Sequence, residues 1–362
     1  MPIGRGLIVS KILIGGAGGA PSEGVIKSLA LGKRRENVIG MGSEPTDLAL
    51  SSAQKKFYIP YADASGYKAR LLEILKTEKP DLVHFQNDME IYSASLIRDD
   101  ILETGTRLFM PDHEVIETCV HKYQSYLAFK AANIKVPENM MIHDENRLRQ
   151  AFANLGDESG TIWLRSSLIG GGGKGAIPTS DFAMAKAWIE HHNGWGEFMA
   201  ANLLTPRTVT WLSIWHEGSL VVAQSRERRA WTHGDRSVSG VTGVTKVGVT
   251  CDDPLVTQIA EQSVLAVAPR PHGIFGVDLA YDKNGIPNPT EINISRFFTT
   301  VLFFAEAGLN LPEIFADLAL YREFPKLEKK INPLPSGLLW LRGMDVNPRL
   351  TTEDEISQEI QF

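Results

Sequence analysis

At 362 residues the chain is longer than a single hydrophobic core usually grows, so two or three domains are expected. Its 37 basic and 43 acidic residues leave a net charge of −6, and with 43% apolar and 22% charged content it reads as a soluble globular protein with no overall attraction to nucleic acid or membrane. Two cysteines, Cys119 and Cys251, exclude a disulfide framework, the histidines form no HxxxH or HExxH pattern, and no apolar run approaches the ~18 residues of a membrane span, so a cytoplasmic protein is expected.

Residues 7–14 are a short apolar run, followed by Gly15-Gly-Ala-Gly18-Gly-Ala-Pro21-Ser-Glu-Gly24 and then by helical spacing over 25–31. Strand, glycine-rich turn and helix in that order open a doubly wound α/β domain, and such a turn can aim backbone N–H groups at an anion. The dinucleotide fingerprint G-x-G-x-x-G fails, because counting from Gly16 its third glycine falls on Pro21. Residues 38–42 read as a second strand, 67–76 as a helix, and 81–85 as a third strand ending in Gln86-Asn87-Asp88-Met-Glu90. Asp88 and Glu90 are either a substrate rim at the carboxyl end of a parallel strand or the start of the next helix.

From residue 112 the texture changes. Pro111-Asp-His-Glu114 looks like a helix start capped by Asp112, and 115–133 keep helical spacing through Tyr123, Tyr126, Leu127 and Phe129, with Lys122 among them. A helix over 145–155 and a strand over 161–164 lead into Arg165-Ser-Ser-Leu-Ile-Gly170-Gly-Gly-Gly-Lys174-Gly175. So glycine-dense a loop is entropically costly to order, which favours a backbone that must approach something closely, phosphate being the usual partner. It is not a Walker A loop, since Leu168 and Gly175 stand where Gly and Ser or Thr are required. Its place before the strand-like Ala176-Ile177 favours a mobile hairpin lid over a surface loop without function.

Residues 179–189 read as a helix, 197–204 as an extended stretch, and 209–215 with 220–224 as a hairpin around His216-Glu-Gly218. Arg226, Arg228 and Arg229 follow at once, read as lying beyond the strand. They either bind an acidic substrate or acyl phosphate, whose oxygens match guanidinium forks, or form a solvated strand end. Residues 231–249 look like a long functional loop, and 254–268 like an amphipathic helix. The run 274–281 and the run 290–294 then flank Asp282-Lys-Asn-Gly285, which tolerates the positive φ of a tight reversal. In that hairpin Glu291 and Asn293 share a face by period two. If Asp278 joins them, three oxygen donors converge as Mg²⁺ requires; the alternative is ordinary polar residues turned outward. A closing helix over 311–321 precedes a proline-bearing tail from 331, with one strand-like piece at 338–342 and a mobile acidic end.

The order of these parts resembles the ATP-grasp superfamily over roughly residues 10–320, and within it the synthetase modules of the carbamoyl-phosphate synthase large subunit and free-standing proteins like them. The quoted elements are the GAGG…EGVIKSL opening, Lys122, the strand and loop through Gly175, and the Asp278, Glu291, Asn293 hairpin. The resemblance implies a mixed α/β and α+β chain: a Rossmann-like pre-ATP-grasp domain over 1–112, a small lid subdomain over 113–195, a large subdomain with the Mg/ATP site over 196–330, and an extension over 331–362. It implies that Lys122 and Arg165 contact ATP phosphates, that Gly171, Gly172, Gly173, Lys174 and Gly175 fold over them, and that Met199, Asn202 and Leu203 belong to the adenine-contacting hinge. Asp278, Glu291 and Asn293 would hold Mg²⁺, and Arg228, Arg229 and Arg296 would serve the reacting groups.

Three departures stand out. His121 replaces the usual Asp before Lys122, Ser295 stands where E-x-N-x-R has its arginine, and no ribose-binding carboxylate follows the hinge near Arg207-Thr208. With Arg296 displaced by one residue, a regular strand would send it to the opposite face. The implied function is ATP- and Mg²⁺-dependent joining of a small-molecule acid to an amine. Alternatives are phosphorylation of bicarbonate or carbamate with a partner protein, and a nucleotide-binding protein without catalysis. Neither nucleic acid nor membrane is implied, and a homodimer is left open.

Overall fold

A computed structural model describes residues 9–167, 175–241 and 243–360. The first of its three sheets has β1 (Lys11–Ile14), β2 (Asn37–Gly42), β3 (Lys56–Tyr58) and β4 (Leu82–His84), all parallel in the order β3-β2-β1-β4. β1 and β4 are continuous apolar runs because helices cover both faces of such a sheet. The helix after β1 is Ala20–Leu31, five residues longer at its start than spacing alone indicates. Pro21 is accepted in its first turn, where N–H groups have no partner inside the helix. Gly18, at φ 93°, is required in the shortened turn, since a Cβ there would lie 1.8 Å from the Asp47 carbonyl.

The second sheet joins β5 (Asn139–Ile142), β6 (Ile162–Ser166), β7 (Ile177–Thr179) and β8 (Phe198–Asn202) antiparallel in the order β5-β8-β6-β7. Helices Glu145–Leu155 and Phe182–His191, N-capped by the Asp144 and Asp181 side chains, cover one face. Ile142, Leu148, Leu155, Ile162, Leu164, Ile177 and Ile189 form a core of their own there. This unit, the lid below, presents Trp163 and Arg165 on the other face of β6 by strand alternation.

The third sheet is antiparallel: β9 (Thr208–His216), β10 (Ser219–Trp231), β11 (Thr245–Cys251), β12 (Gly273–Tyr281), β13 (Pro287–Ile294), β14 (Leu339–Gly343) and β15 (Val346–Thr351), ordered β13-β12-β9-β10-β11-β14-β15. Pro287 and Pro289 are accommodated because β13 is an edge strand. Leu13 and Val83 of the first sheet share a core with Trp211, Phe275 and Ile292 of the third, and Ile12 and Ile14 share another with Leu212, Ile274 and Phe297. These two sheets are thus one body, whereas the lid's apolar residues pack among themselves.

Five expectations are corrected. The predicted helix over 115–133 is two helices, His113–Val120 and Lys122–Ala131, broken at an extended His121 where the Lys122 N–H donates to the Ser167 carbonyl at 3.0 Å. Asp112 holds the N-cap position without a side-chain hydrogen bond. β10 does not end before the arginines but runs through Arg226, Arg228 and Arg229, and the last five residues of the expected 231–249 loop, from Thr245 on, are the start of β11. The tail is built into the sheet: Asn332 is fully buried, its Oδ1 accepts the Ser225 N–H at 2.8 Å, and the last helix, Glu353–Glu359, begins in a capping box. Among the described residues no helix is long and apolar enough to cross a membrane.

Candidate functional site

The lid and the third sheet enclose a cavity of about 790 Å³ lined by Tyr126, Trp163 and Leu203 on one side and Arg228, Trp231 and Leu279 on another. Its floor is carried by a row of side chains across the sheet, of which Asp278 and Glu291 line the cavity and Thr210 and Arg226 lie buried behind them. Glu291 pairs directly with Asp278 between β13 and β12, Asp278 with Thr210 on β9, and Thr210 with Arg226 on β10. Directly paired residues point to one face, so the row is continuous. Asn293 lies beside it, opposite Gly276, and donates from Nδ2 to Asp278 Oδ2 at 3.0 Å. Past Asp278 the register slips by one residue at Thr290, a bulge that turns the Thr290 carbonyl toward Arg165 Nη2 at 2.9 Å.

Arg165 crosses from the lid, its Nη1 3.6 Å from Glu291 Oε2. Burial holds its pKa below the ordinary arginine value, partly opposed by Glu291. Lys122, at the head of its helix, also has a lowered pKa from burial, against the pull of Glu291. Glu291 stays 30% exposed, which leaves its carboxylate open to a further partner. Asp278 is more fully engaged: Oδ1 accepts from the Thr210 hydroxyl and stands 3.7 Å from Arg228 Nη2.

Lys122, Arg165, Arg226, Arg228, Arg296 and Arg342 surround Asp88, Asp278 and Glu291, with electrostatic influence passing between them. On the cavity wall itself Lys122, Arg165, Arg228 and Arg229 stand against Glu197, Asp278 and Glu291, a small cationic excess that suits an anionic ligand. Two carboxylates and one amide oxygen on one face also fit a hard divalent cation that completes its shell with phosphate oxygens. Among the described residues no three His, Cys, Asp or Glu side chains gather into a self-sufficient metal cage.

Arg296 does not go to the opposite face. Ser295 adopts φ 53°, the left-handed conformation, and its N–H donates to the Ile274 carbonyl at 2.8 Å. The strand therefore does not continue regularly, and Arg296 swings back so that Nη2 donates to Asn293 Oδ1. Its fork is filled by Asp88 of the first domain, Nε to Oδ1 at 2.7 Å and Nη2 to Oδ2 at 3.3 Å. Arg296 thus links the first helical layer to the third sheet through Asp88 and Asn293. Asp88 and Glu90 do start a helix, Asp88–Leu96, capped by Asn87.

Arg228 faces the cavity, its guanidinium 3.9 Å over the Trp231 ring. Arg229, in the irregular stretch of β10, also borders the cavity, with Glu227 at 3.2 Å and Glu353 at 3.7 Å. In the expected hinge Leu203 lines the cavity, Met199 is fully buried opposite Arg165, and the Asn202 amide is spent on Leu155 and Glu138 backbone groups. Gly175, at φ 74°, accepts at its carbonyl from Trp188 Nε1 at 3.0 Å; Gly171, Gly172, Gly173 and Lys174 lie outside the described residues. Sequence reading missed Thr208, Thr210 and Thr245 as partners of the arginines. The alternation Thr208-Val-Thr210 against Arg226-Glu-Arg228 is the signal that a longer β10 would have revealed.

No protein-family model and no curated protein matches the sequence. Solved structures do. Biotin carboxylase from Campylobacter jejuni, in complex with β,γ-ATP, superposes with a TM-score of 0.69 at 13% identity, over 93% of this chain and 76% of that one. N5-carboxyaminoimidazole synthetase from Staphylococcus aureus complexed with ADP gives 0.69 at 15%, over 92% and 83%. L-amino acid ligase from Bacillus licheniformis gives 0.65 at 11%, over 91% and 78%. The chain has the ATP-grasp fold. At these identities the likeness establishes the ATP-grasp fold alone and does not single out the carbamoyl-phosphate synthase subgroup.

Proposed function

We propose that the chain is an ATP- and Mg²⁺-dependent ligase that activates a carboxylate as an acyl phosphate for attack by an amine. The observation that carries this reading is the Glu291–Asp278 pair on the cavity floor, facing Lys122 and Arg165 amid a small excess of cations. In the first step an oxygen of the acid attacks the γ-phosphorus, the bond to the β,γ-bridging oxygen breaks, and ADP leaves. In the second the amine nitrogen attacks the acyl carbon, the bond from carbon to the phosphate oxygen breaks, phosphate leaves, and the amine proton passes to solvent.

The protein's part in such chemistry is placement and charge neutralisation. Lys122 and Arg165 would hold the transferred phosphoryl group, Arg228 the acid, and Trp163 and Leu203 the base of the nucleotide. Mg²⁺, held by Asp278, Glu291 and Asn293, would neutralise charge on the β- and γ-phosphates. Fold likeness to carboxylases, one of them described with MgADP and bicarbonate, supports a second reading in which bicarbonate is the acid.

ADP release measured against panels of acids and amines separates the two. The ligase reading expects release that needs both an organic acid and an amine. Release with bicarbonate alone selects the second. Absence of ADP formation under every condition, with nucleotide bound, overturns both.

A further inference from the structure

Arg226 is the largest charged side chain in the interior, 1% exposed, and no carboxylate lies within ion-pair distance of it among the described residues. Its hydrogen bonds go to hydroxyls: Nη1 to Thr245 Oγ1 at 3.0 Å and Thr300 Oγ1 at 2.8 Å, and Nη2 to Thr210 Oγ1 at 2.8 Å. Nε has no partner among the described residues, and the guanidinium carbon sits 4.6 Å over the Phe298 ring. Burying a guanidinium that no carboxylate meets directly costs stability, only partly offset by the more distant Asp278, and a hydrophobic side chain of similar volume would avoid that cost. Stability therefore does not explain this residue.

Its partners suggest what does. Thr210 Oγ1 accepts from Arg226 Nη2 and, at 3.3 Å, from Arg228 Nη2, so its one proton is directed to Asp278 Oδ1. Thr245 Oγ1 likewise accepts from Arg226 Nη1 and, at 3.2 Å, from Arg228 Nε. The hydroxyl oxygens that orient the cavity-facing Arg228 are thus fixed from behind by Arg226, and one of them also orients Asp278. The β11 backbone makes room for the arrangement: Gly248 lies under the Arg226 stem, where a Cβ would come within 2.9 Å of Cδ.

We propose that Arg226 is a positioning residue which, through the Thr210 and Thr245 hydroxyls, holds Arg228 and the Asp278 carboxylate in the geometry that Mg²⁺–nucleotide binding requires. This rests on the reading of the floor as a Mg²⁺–nucleotide site. It touches neither ligand and acts only through the two threonines.

The test uses the full chain with Arg226→Met, Arg226→Lys and Thr210→Val, each measured for thermal unfolding and for the Mg²⁺ dependence of ADP binding by calorimetry. Arg226→Met is expected to melt at or above the wild-type temperature while needing about 10- to 100-fold more Mg²⁺ for half-maximal nucleotide affinity, the usual cost of losing a partner behind a metal ligand. Thr210→Val reproduces that shift, and Arg226→Lys, which keeps charge and some donors, recovers part of it. Gly248→Ala, which presses on the Arg226 stem, gives the same direction if Arg226→Met proves unstable. A variant series with unchanged Mg²⁺ dependence overturns the positioning role, as does a Mg²⁺ requirement that moves only in proportion to lost folding. Wild-type protein that binds ADP without any Mg²⁺ effect, or not at all, instead overturns the site reading, and the proposal with it.

Discussion

The two walls of the cavity are built on different principles. The floor belongs to a sheet whose core is continuous with the first domain, and its acid groups are held by buried hydroxyls and guanidinium groups before any ligand arrives. The lid has a small core of its own and reaches the floor through Arg165, which meets the Thr290 carbonyl and Glu291, and through the Ser167 carbonyl, which meets the Lys122 N–H. Under the proposed ligase reading, the prearranged floor and the semi-independent cover would divide the work of phosphoryl transfer: fixed charge on one side, admission and exclusion of water on the other. Removing a floor group should therefore abolish chemistry with little loss of fold, and removing a lid group should weaken nucleotide binding.

The largest expected effect is on the floor. Glu291→Gln keeps the shape of the side chain and removes the charge that remains open to a cation. ADP formation should fall by on the order of 10²- to 10³-fold, with the melting temperature nearly unchanged. Turnover at the wild-type rate in a folded Glu291→Gln protein at saturating Mg²⁺ would break the comparison at its centre.

Next is the seam between the first domain and the floor. Asp88→Ala leaves the partly buried Arg296 guanidinium without its carboxylate, and losing such a charge-assisted pair costs about 1.5–3 kcal/mol. Denaturant unfolding should register that loss as one cooperative transition if the two sheets are one body. An early transition confined to residues before 112 would show instead that the domains unfold separately.

Arg165→Ala tests the lid. It removes a donor to Thr290 and the cation facing Glu291, and should weaken ATP binding by ~1.5–3 kcal/mol without lowering the melting temperature appreciably. Calorimetry with unchanged ATP affinity would mean that the lid arginine belongs to the fold alone.

This contrast also accounts for what the chain made legible. The β12–β13 hairpin declared itself because Asp282-Lys-Asn-Gly285 reverses the chain and alternation then fixes which residues share a face. Helices 145–155 and 311–321 were equally plain, with capping residues and apolar spacing in agreement. Cross-strand facts were not. Arg226 read as a residue beyond a strand because local composition gives no sign that β10 continues for 13 residues, and its threonine partners lie 16 to 74 positions away. Arg296 was misdirected for a subtler reason: a non-glycine residue at positive φ, Ser295, is set by its burial and its bond to Ile274, not by its own preference.

The smallest effect separates the walls by pH. The body buries several titratable groups near its parallel sheet, Glu36, His84 and Glu90 among them, whereas the lid's shifted carboxylate Asp157 and ammonium Lys186 stand at the surface. Burial pushes Glu90 up from 4.5 to about 8, with a hydrogen bond from Asn87 opposing it, and holds His84 down from 6.5 to about 3. Between pH 4.5 and 8 the folded protein keeps a proton on Glu90 that the unfolded chain releases, so this group lowers stability as pH rises. His84 acts in the opposite sense, lowering stability as pH falls below 6.5, where only the unfolded chain takes up a proton. Of these two groups, only Glu90 acts in the window from 6.5 to 8. Glu90→Gln should therefore raise the melting temperature at pH 8, by roughly 2–4 °C per kcal/mol recovered, and leave it nearly unchanged at pH 4.5. A difference between variant and wild type that does not depend on pH would mean that Glu90 is charged in the fold, and that the first domain holds its carboxylates as openly as the lid does.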